Sequence, residues 1–165
     1  MNIFYLDKSP RLAAEYHCDK HVVKMLLESA QILSTAHRML EGKLEEKRWV
    51  LSGIRDSVLY KVTHQNHPSS VWARSSADNY EWLYRLYDTL CHEYKRRYKK
   101  IHKSEEISYY LRDAPLWIPL KSFTPPPQCM PDEYKRDDCV EAYRAYYRGA
   151  KASFAKWKTQ QPEWW

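Results

Sequence analysis

The sequence predicts an all-α fold: one compact domain over residues 1–165, with five or six helices around a central buried one and a proline-rich loop. Three observations carry that prediction. Apolar residues recur at helical spacing through Asp19 to Leu40, Ser76 to about Lys99, and Asp138 to Lys158. Serine, aspartate and proline stand where these and shorter helices should open. A chain of 165 residues is long enough to bury about two thirds of its unfolded surface in one core.

Taken in order, Asn2 to Asp7 reads as a short strand or an extended lead-in packed on the helices. Ser9-Pro10 opens a short helix to about Tyr16. The central helix follows, with Asp19 as its expected N-cap and Gly42 marking its end. His17, His21, Lys24, Glu28, Gln31 and Thr35 form one polar stripe on a helix that is otherwise largely apolar. Such a stripe closes a buried polar network or lines a cleft, and the cleft is the reading adopted. Glu41 to Tyr60 is a mixed connector with a helical piece expected near Glu45 to Leu51. His64 to Pro68 is a polar turn, and Pro68 opens a helix reaching Ser75. Ser76 or Asp78 starts the next long helix, whose apolar line includes Tyr80, Leu83, Leu86 and Leu90. Ser104 to Leu111 has the acidic first turn of a further helix. The proline-rich loop from Asp113 to Pro131 is long enough to suggest a functional role. The last helix should carry a seam of Tyr143, Tyr147, Phe154 and Trp157, flanked by Arg144, Arg148 and Lys151.

The totals narrow the function classes. Lysine and arginine exceed aspartate and glutamate by 27 to 21, a net +6 that leans toward a nucleotide or nucleic-acid partner. Three glycines exclude a glycine-rich phosphate loop, so a bound nucleotide would be held by side chains and helix ends. The four cysteines lack CxxC spacing and read as reduced thiols of a cytoplasmic protein. No apolar run is long enough for a membrane span, and the first residues do not read as a signal peptide.

Chemistry concentrates in three places. Lys24 and Glu28 lie one helical turn apart; in apolar surroundings the pair suits an amine nucleophile or anion anchor with a proton acceptor or water activator. His21 beside them suits a general acid or phosphate donor, and Lys20 and Gln31 flank the same region as substrate contacts. His17, His21, His64 and His67 have spacings that would let them share a divalent metal, such as zinc. From His67 to Trp82 recognition residues crowd together: Trp72 for stacking, Arg74 for phosphate and Asn79 for a base edge. Arg144 is a further substrate-binding candidate on the late basic face. For each, a bland alternative exists in a solvated ion pair, a core aromatic or a charged helix face.

The runs Tyr-His-Cys-Asp-Lys-His-Val-Val-Lys-Met-Leu-Leu-Glu, Asn-His-Pro-Ser-Ser-Val-Trp-Ala-Arg-Ser-Ser and Met-Pro-Asp-Glu-Tyr-Lys resemble a family of small phage-encoded helical proteins. That resemblance implies a viral accessory protein working in DNA modification, repair, nucleotide metabolism or counter-defence. In size, helix content and aromatic C-terminal segment the chain is also similar to the small pyrimidine-dimer glycosylases of phages. That second resemblance implies an N-terminal amine on a small residue, freed by loss of methionine, with a glutamate partner. Here Asn2 follows Met1, methionine before so large a residue is expected to stay, and Lys24 would have to supply the amine.

The resulting expectation is an enzyme acting on a nucleotide or nucleic-acid base, by glycosidic or phosphate-ester cleavage or by group transfer. Glu28 would handle the proton or water, Lys24 and His21 the developing charge, and Arg74 the phosphate. A non-catalytic nucleotide or nucleic-acid binder and a metal-dependent hydrolase are the alternatives.

Overall fold

The computed structural model describes all residues from Met1 to Trp165. Its elements are α1 (Pro10–Tyr16), α2 (Asp19–Glu41), β1 (Lys43–Glu45), β2 (Arg48–Val50), α3 (Arg55–Val58), α4 (Pro68–Arg74), α5 (Ala77–Tyr98), α6 (Ser108–Leu111) and α7 (Cys139–Tyr146). The predicted all-α class holds, with one two-stranded hairpin added. No helix is long and apolar enough to cross a membrane.

Local sequence explains most boundaries. The Ser9 hydroxyl accepts from the Leu12 N–H, and Pro10 supplies a preset first turn to α1. Ser76 caps α5 in the same way through the Asn79 N–H. At the start of α2, Cys18 and not Asp19 holds the cap position. Asp19 is instead the first helical residue, and its carboxylate accepts from Arg97 and from the Lys158 N–H. Gly42 ends α2 in an extended conformation, close against the Arg38 and Val50 carbonyls, where a Cβ would not fit.

Helix α2 packs on α4 and α5, and α1 lies along α5. Ile3, Phe4, Tyr5 and Leu6 are all buried, so the expected extended lead-in threads through the core and forms no strand. Arg97, wholly enclosed, ties three helices: it donates to the His17 and Glu15 carbonyls and to the carboxylates of Asp19 and Glu93.

Two segments differ from the sequence prediction. The helical piece expected near Glu45 to Leu51 is the β1–β2 hairpin, paired Lys43 with Val50, Leu44 with Trp49 and Glu45 with Arg48. Its two-residue turn puts Glu46 and Lys47 at φ 44° and 67°, the turn geometry that matches strand twist. Neither residue is glycine or asparagine, so no local signal announces it. A distant group orders the region: buried Arg38 of α2 donates to the carbonyls of Trp49, Asp56, Leu59 and Tyr60 and to the Asp56 carboxylate. The last helix also stops short of Lys158. It passes into a π turn over Tyr147–Lys151, where Gly149 meets the Tyr134 ring so closely that a Cβ would collide with it. The remaining chain folds back on α1 and α2, with the Trp157 indole donating to the Tyr16 carbonyl and the Asp19 N–H to the Lys156 carbonyl.

Candidate active site

The chain's first two residues are held from several sides. The Asn2 amide oxygen accepts from the Tyr143 hydroxyl at 2.9 Å and from the Ile3 N–H at 2.8 Å, while its Nδ2 donates to the Cys129 carbonyl at 2.9 Å. The Met1 sulfur accepts from Ser70 of α4. These contacts press the start of the chain onto α2 at Glu28. One oxygen of Glu28 accepts the Asn2 N–H at 3.0 Å and lies 3.9 Å from the α-amine of Met1. The other lies 3.6 Å from Lys24 Nζ.

Glu28 is 12% exposed, but Lys24 is 66% exposed. The desolvated lysine that the stripe suggested is therefore a solvated one, and the enclosed amine beside the carboxylate is the α-amine. His67 stands next to this group. Its Nδ1 accepts from the Ser69 N–H at the start of α4, which leaves the proton on Nε2. Burial, then the positive α-amine and His64, push the His67 pKa down, against the pull of Glu28. The site thus combines one carboxylate, one amine and a histidine biased toward its neutral form.

The other expected members are placed elsewhere. His21 lies in the core with its ring 4.4 Å from Phe4, its Nδ1 bonded to the Tyr147 hydroxyl. Burial, then nearby His17, Lys151 and Lys24, lower its pKa to about 3. His17, also enclosed, donates to the Ala13 carbonyl, and burial takes its pKa to about 4. The four-histidine metal set does not form: no three histidine, cysteine, aspartate or glutamate side chains come together as a ligand group.

Trp72 packs edge-on against Trp82 and Phe123, with its indole donating to the Thr124 carbonyl. Buried Asn79 donates to the Trp72 carbonyl and accepts from the Thr124 N–H. Both anchor the proline-rich loop to the core. Arg144 donates to the Leu6 carbonyl, reaches Asp7 and Glu141, and lies over Trp164. Lys20 lies over the Phe154 ring. Gln31 is half-buried, three residues along α2 from Glu28. Arg74 alone of the recognition set keeps an unpartnered nitrogen, Nη1. Of the sequence candidates, Lys24, Glu28 and His67 converge. The α-amine joins them, the group that the glycosylase resemblance implies and that the size of Asn2 argues against in favour of Lys24. Asn2, Tyr143 and Cys129 complete the group, and nothing in local sequence marks the last two, because only the fold carries residues 129 and 143 to the chain's start.

A family model described as pyrimidine dimer DNA glycosylase matches residues 1–106. The chain belongs to that family. The matched region contains Met1, Asn2, Lys24, Glu28 and His67, so it encloses nearly the whole cluster. No curated protein and no solved structure matches the chain. Membership of the glycosylase family makes this an enzyme that acts on DNA bases by glycosidic cleavage, in repair or modification. DNA is the partner it binds. Of the two resemblances drawn from the sequence, the one to pyrimidine-dimer glycosylases is the family that matches.

Proposed function

We propose that this glycosylase cuts the glycosidic bond of a dimerised pyrimidine in DNA with the α-amine at Glu28 as nucleophile, and that Glu28 is its proton acceptor. The amine nitrogen attacks C1′ of the damaged nucleotide. The C1′–N bond to the base breaks, the base takes the bonding pair, and the base stays joined to its neighbour in the dimer. Glu28 accepts the proton the amine must shed to present its lone pair. The nitrogen, now bonded to C1′ and relieved of a second proton, uses its lone pair to break the C1′–O4′ bond, and O4′ takes the proton held by Glu28. The protonated imine on the opened sugar is hydrolysed by water, or acidifies C2′ and permits loss of the 3′ phosphate. As a class, α-amines titrate about 2 to 3 units below lysine side chains, so far more of them is free base at neutral pH.

The observation that carries this reading is the 3.0 Å contact of Glu28 with the Asn2 nitrogen, with the Met1 amine 3.9 Å away. It serves either form of the chain. With methionine in place the attacking group is Met1 N; with methionine removed the Asn2 nitrogen becomes an amine already at hydrogen-bond distance. His67 supports the site as a neutral donor through Nε2, and Lys24 holds the second Glu28 oxygen from the solvent side. Arg74, whose half-buried guanidinium forms no hydrogen bond or ion pair within the chain, is the phosphate contact in this proposal.

Borohydride reduction during turnover of dimer-containing DNA tests the proposal directly. It should leave a covalent protein–DNA adduct, and peptide mapping should place it on the N-terminal peptide and show whether Met1 or Asn2 carries it. An adduct on Lys24, or none, overturns the assignment.

A further inference from the structure

We propose that a groove between the hairpin and the segment 61–65 binds the DNA backbone that flanks the damaged nucleotide, with Lys47 and Lys61 as its phosphate contacts. The groove has a volume of about 660 Å³; Met39 and Trp49 form its apolar wall, and Lys47, Lys61 and His64 its polar one. Its place relative to the reacting centre rests on the proposed role of Glu28 and the α-amine.

Two features join the groove to that centre. The turn from His64 to His67 spans both: His64 lines the groove, and His67 caps the helix whose Ser70 holds the Met1 sulfur, within electrostatic reach of the α-amine and Glu28. Helix α2 runs beneath both as well. Glu28, Gln31, Thr35 and Met39 follow steps of three and four and share one face. Met39 lies eleven residues beyond Glu28, hence about 16 Å along the axis at 1.5 Å per residue. One DNA strand carries a phosphate every 3.4 Å along its axis, so that separation is about five phosphates. Between the two, Thr35 is covered by Thr63, whose carbonyl and N–H meet the Thr35 hydroxyl.

The charges in the groove are of two kinds. Arg48 is held at 3.0 Å by Asp56 and serves the hairpin. Lys47 and Lys61 are exposed and form no ion pair, so each keeps a whole charge for a ligand. Lys47 sits at the hairpin tip, where its φ of 67° turns the chain over the groove. Two unpaired cations beside a half-exposed tryptophan suit a sugar–phosphate strand, whose charge and apolar sugar faces alternate.

The test is equilibrium binding of a duplex carrying one pyrimidine dimer, followed by fluorescence anisotropy across a salt series. For the double variant Lys47→Gln/Lys61→Gln, the slope of log K against log salt should become shallower by about 1.8, or about 0.9 for each lost phosphate contact. Lys47→Arg/Lys61→Arg should keep the wild-type slope. A wild-type slope in the glutamine variant overturns the groove proposal. So does an equal flattening in the charge-matched Lys100→Gln/Lys103→Gln, which would mean that net charge alone is responsible. The binding assay needs no turnover, so failure of the wild-type protein to form a borohydride adduct would count against the amine and leave the groove to be judged by its slope.

Discussion

Replacing Glu28 by glutamine separates chemistry from architecture at the site. The substitution keeps the side chain's size and an amide oxygen that can still accept the Asn2 N–H, now bonded at 3.0 Å. What it removes is the charge, and with it the proton acceptor. Little stability should follow. The Lys24 partner is 66% exposed, and such i,i+4 pairs contribute a few tenths of a kcal/mol. The contact with the enclosed α-amine is long, at 3.9 Å, and the amide oxygen can still accept there, so the total loss should stay within about 2 kcal/mol. The chemical step should lose what a positioned acid–base group supplies, about 10²- to 10⁴-fold, equivalent to about 2.7 to 5.4 kcal/mol of barrier. Single-turnover cleavage of a dimer-containing duplex, with anisotropy for affinity and thermal unfolding for stability, reads the three quantities separately. A cleavage rate within about threefold of wild type would refute the assignment of Glu28. A large fall in unfolding temperature would refute the claim that the carboxylate is there for chemistry and not for folding.

Lys24→Ala should still give the borohydride adduct on the N-terminal peptide, since its solvated amine is not the attacking group; loss of the adduct would return the role to Lys24. Arg97→Ala should lower unfolding free energy by about 3 kcal/mol, because it leaves Glu93 with only its more exposed partner Arg96 and leaves two enclosed carbonyls without that donor, and denaturant titration measures it. Acid should destabilise the fold well above the usual carboxylate range. His17 and His21 have pKa values lowered by burial to about 4 and about 3, so the unfolded chain binds more protons than the native one below the ordinary value of 6.5. The stability they contribute is present above pH 6.5 and lost as pH falls toward those values, at about 1.4 kcal/mol per histidine per pH unit. His21→Phe should reduce that slope by one proton in denaturant titrations between pH 6 and 4; an unchanged slope would show that His21 does not titrate on unfolding.

How much could be read in advance depended on the range of the interactions. Ser9-Pro10, Pro68 and Ser76 act within their own first turns, so α1, α4 and α5 begin where the sequence says. The period of apolar residues set α2 and its polar stripe, and the stripe contained Glu28. The hairpin was not legible, because its order comes from Arg38 reaching carbonyls 11 to 22 residues away. The last helix was overextended, because its tyrosine seam continues past the point where Tyr134 fills the space at Gly149.

At the site the same division holds. Sequence alone determined the fold class, the helix that carries the carboxylate, and the pairing of Lys24 with Glu28, all consequences of helical periodicity. It could not say which side of that pair was dry. The tertiary structure decided this: the buried lead-in of Ile3 to Leu6 and the grip of Tyr143 and Cys129 on Asn2 bring an α-amine to the enclosed side of Glu28 and leave Lys24 in water. Histidines 17 and 21, on the same stripe, were withdrawn into the core by aromatic neighbours from the chain's two ends. A helical stripe specifies direction around one axis. Burial depends on what packs over each turn, and here the covering residues come from the chain's first residues and from positions more than a hundred further on.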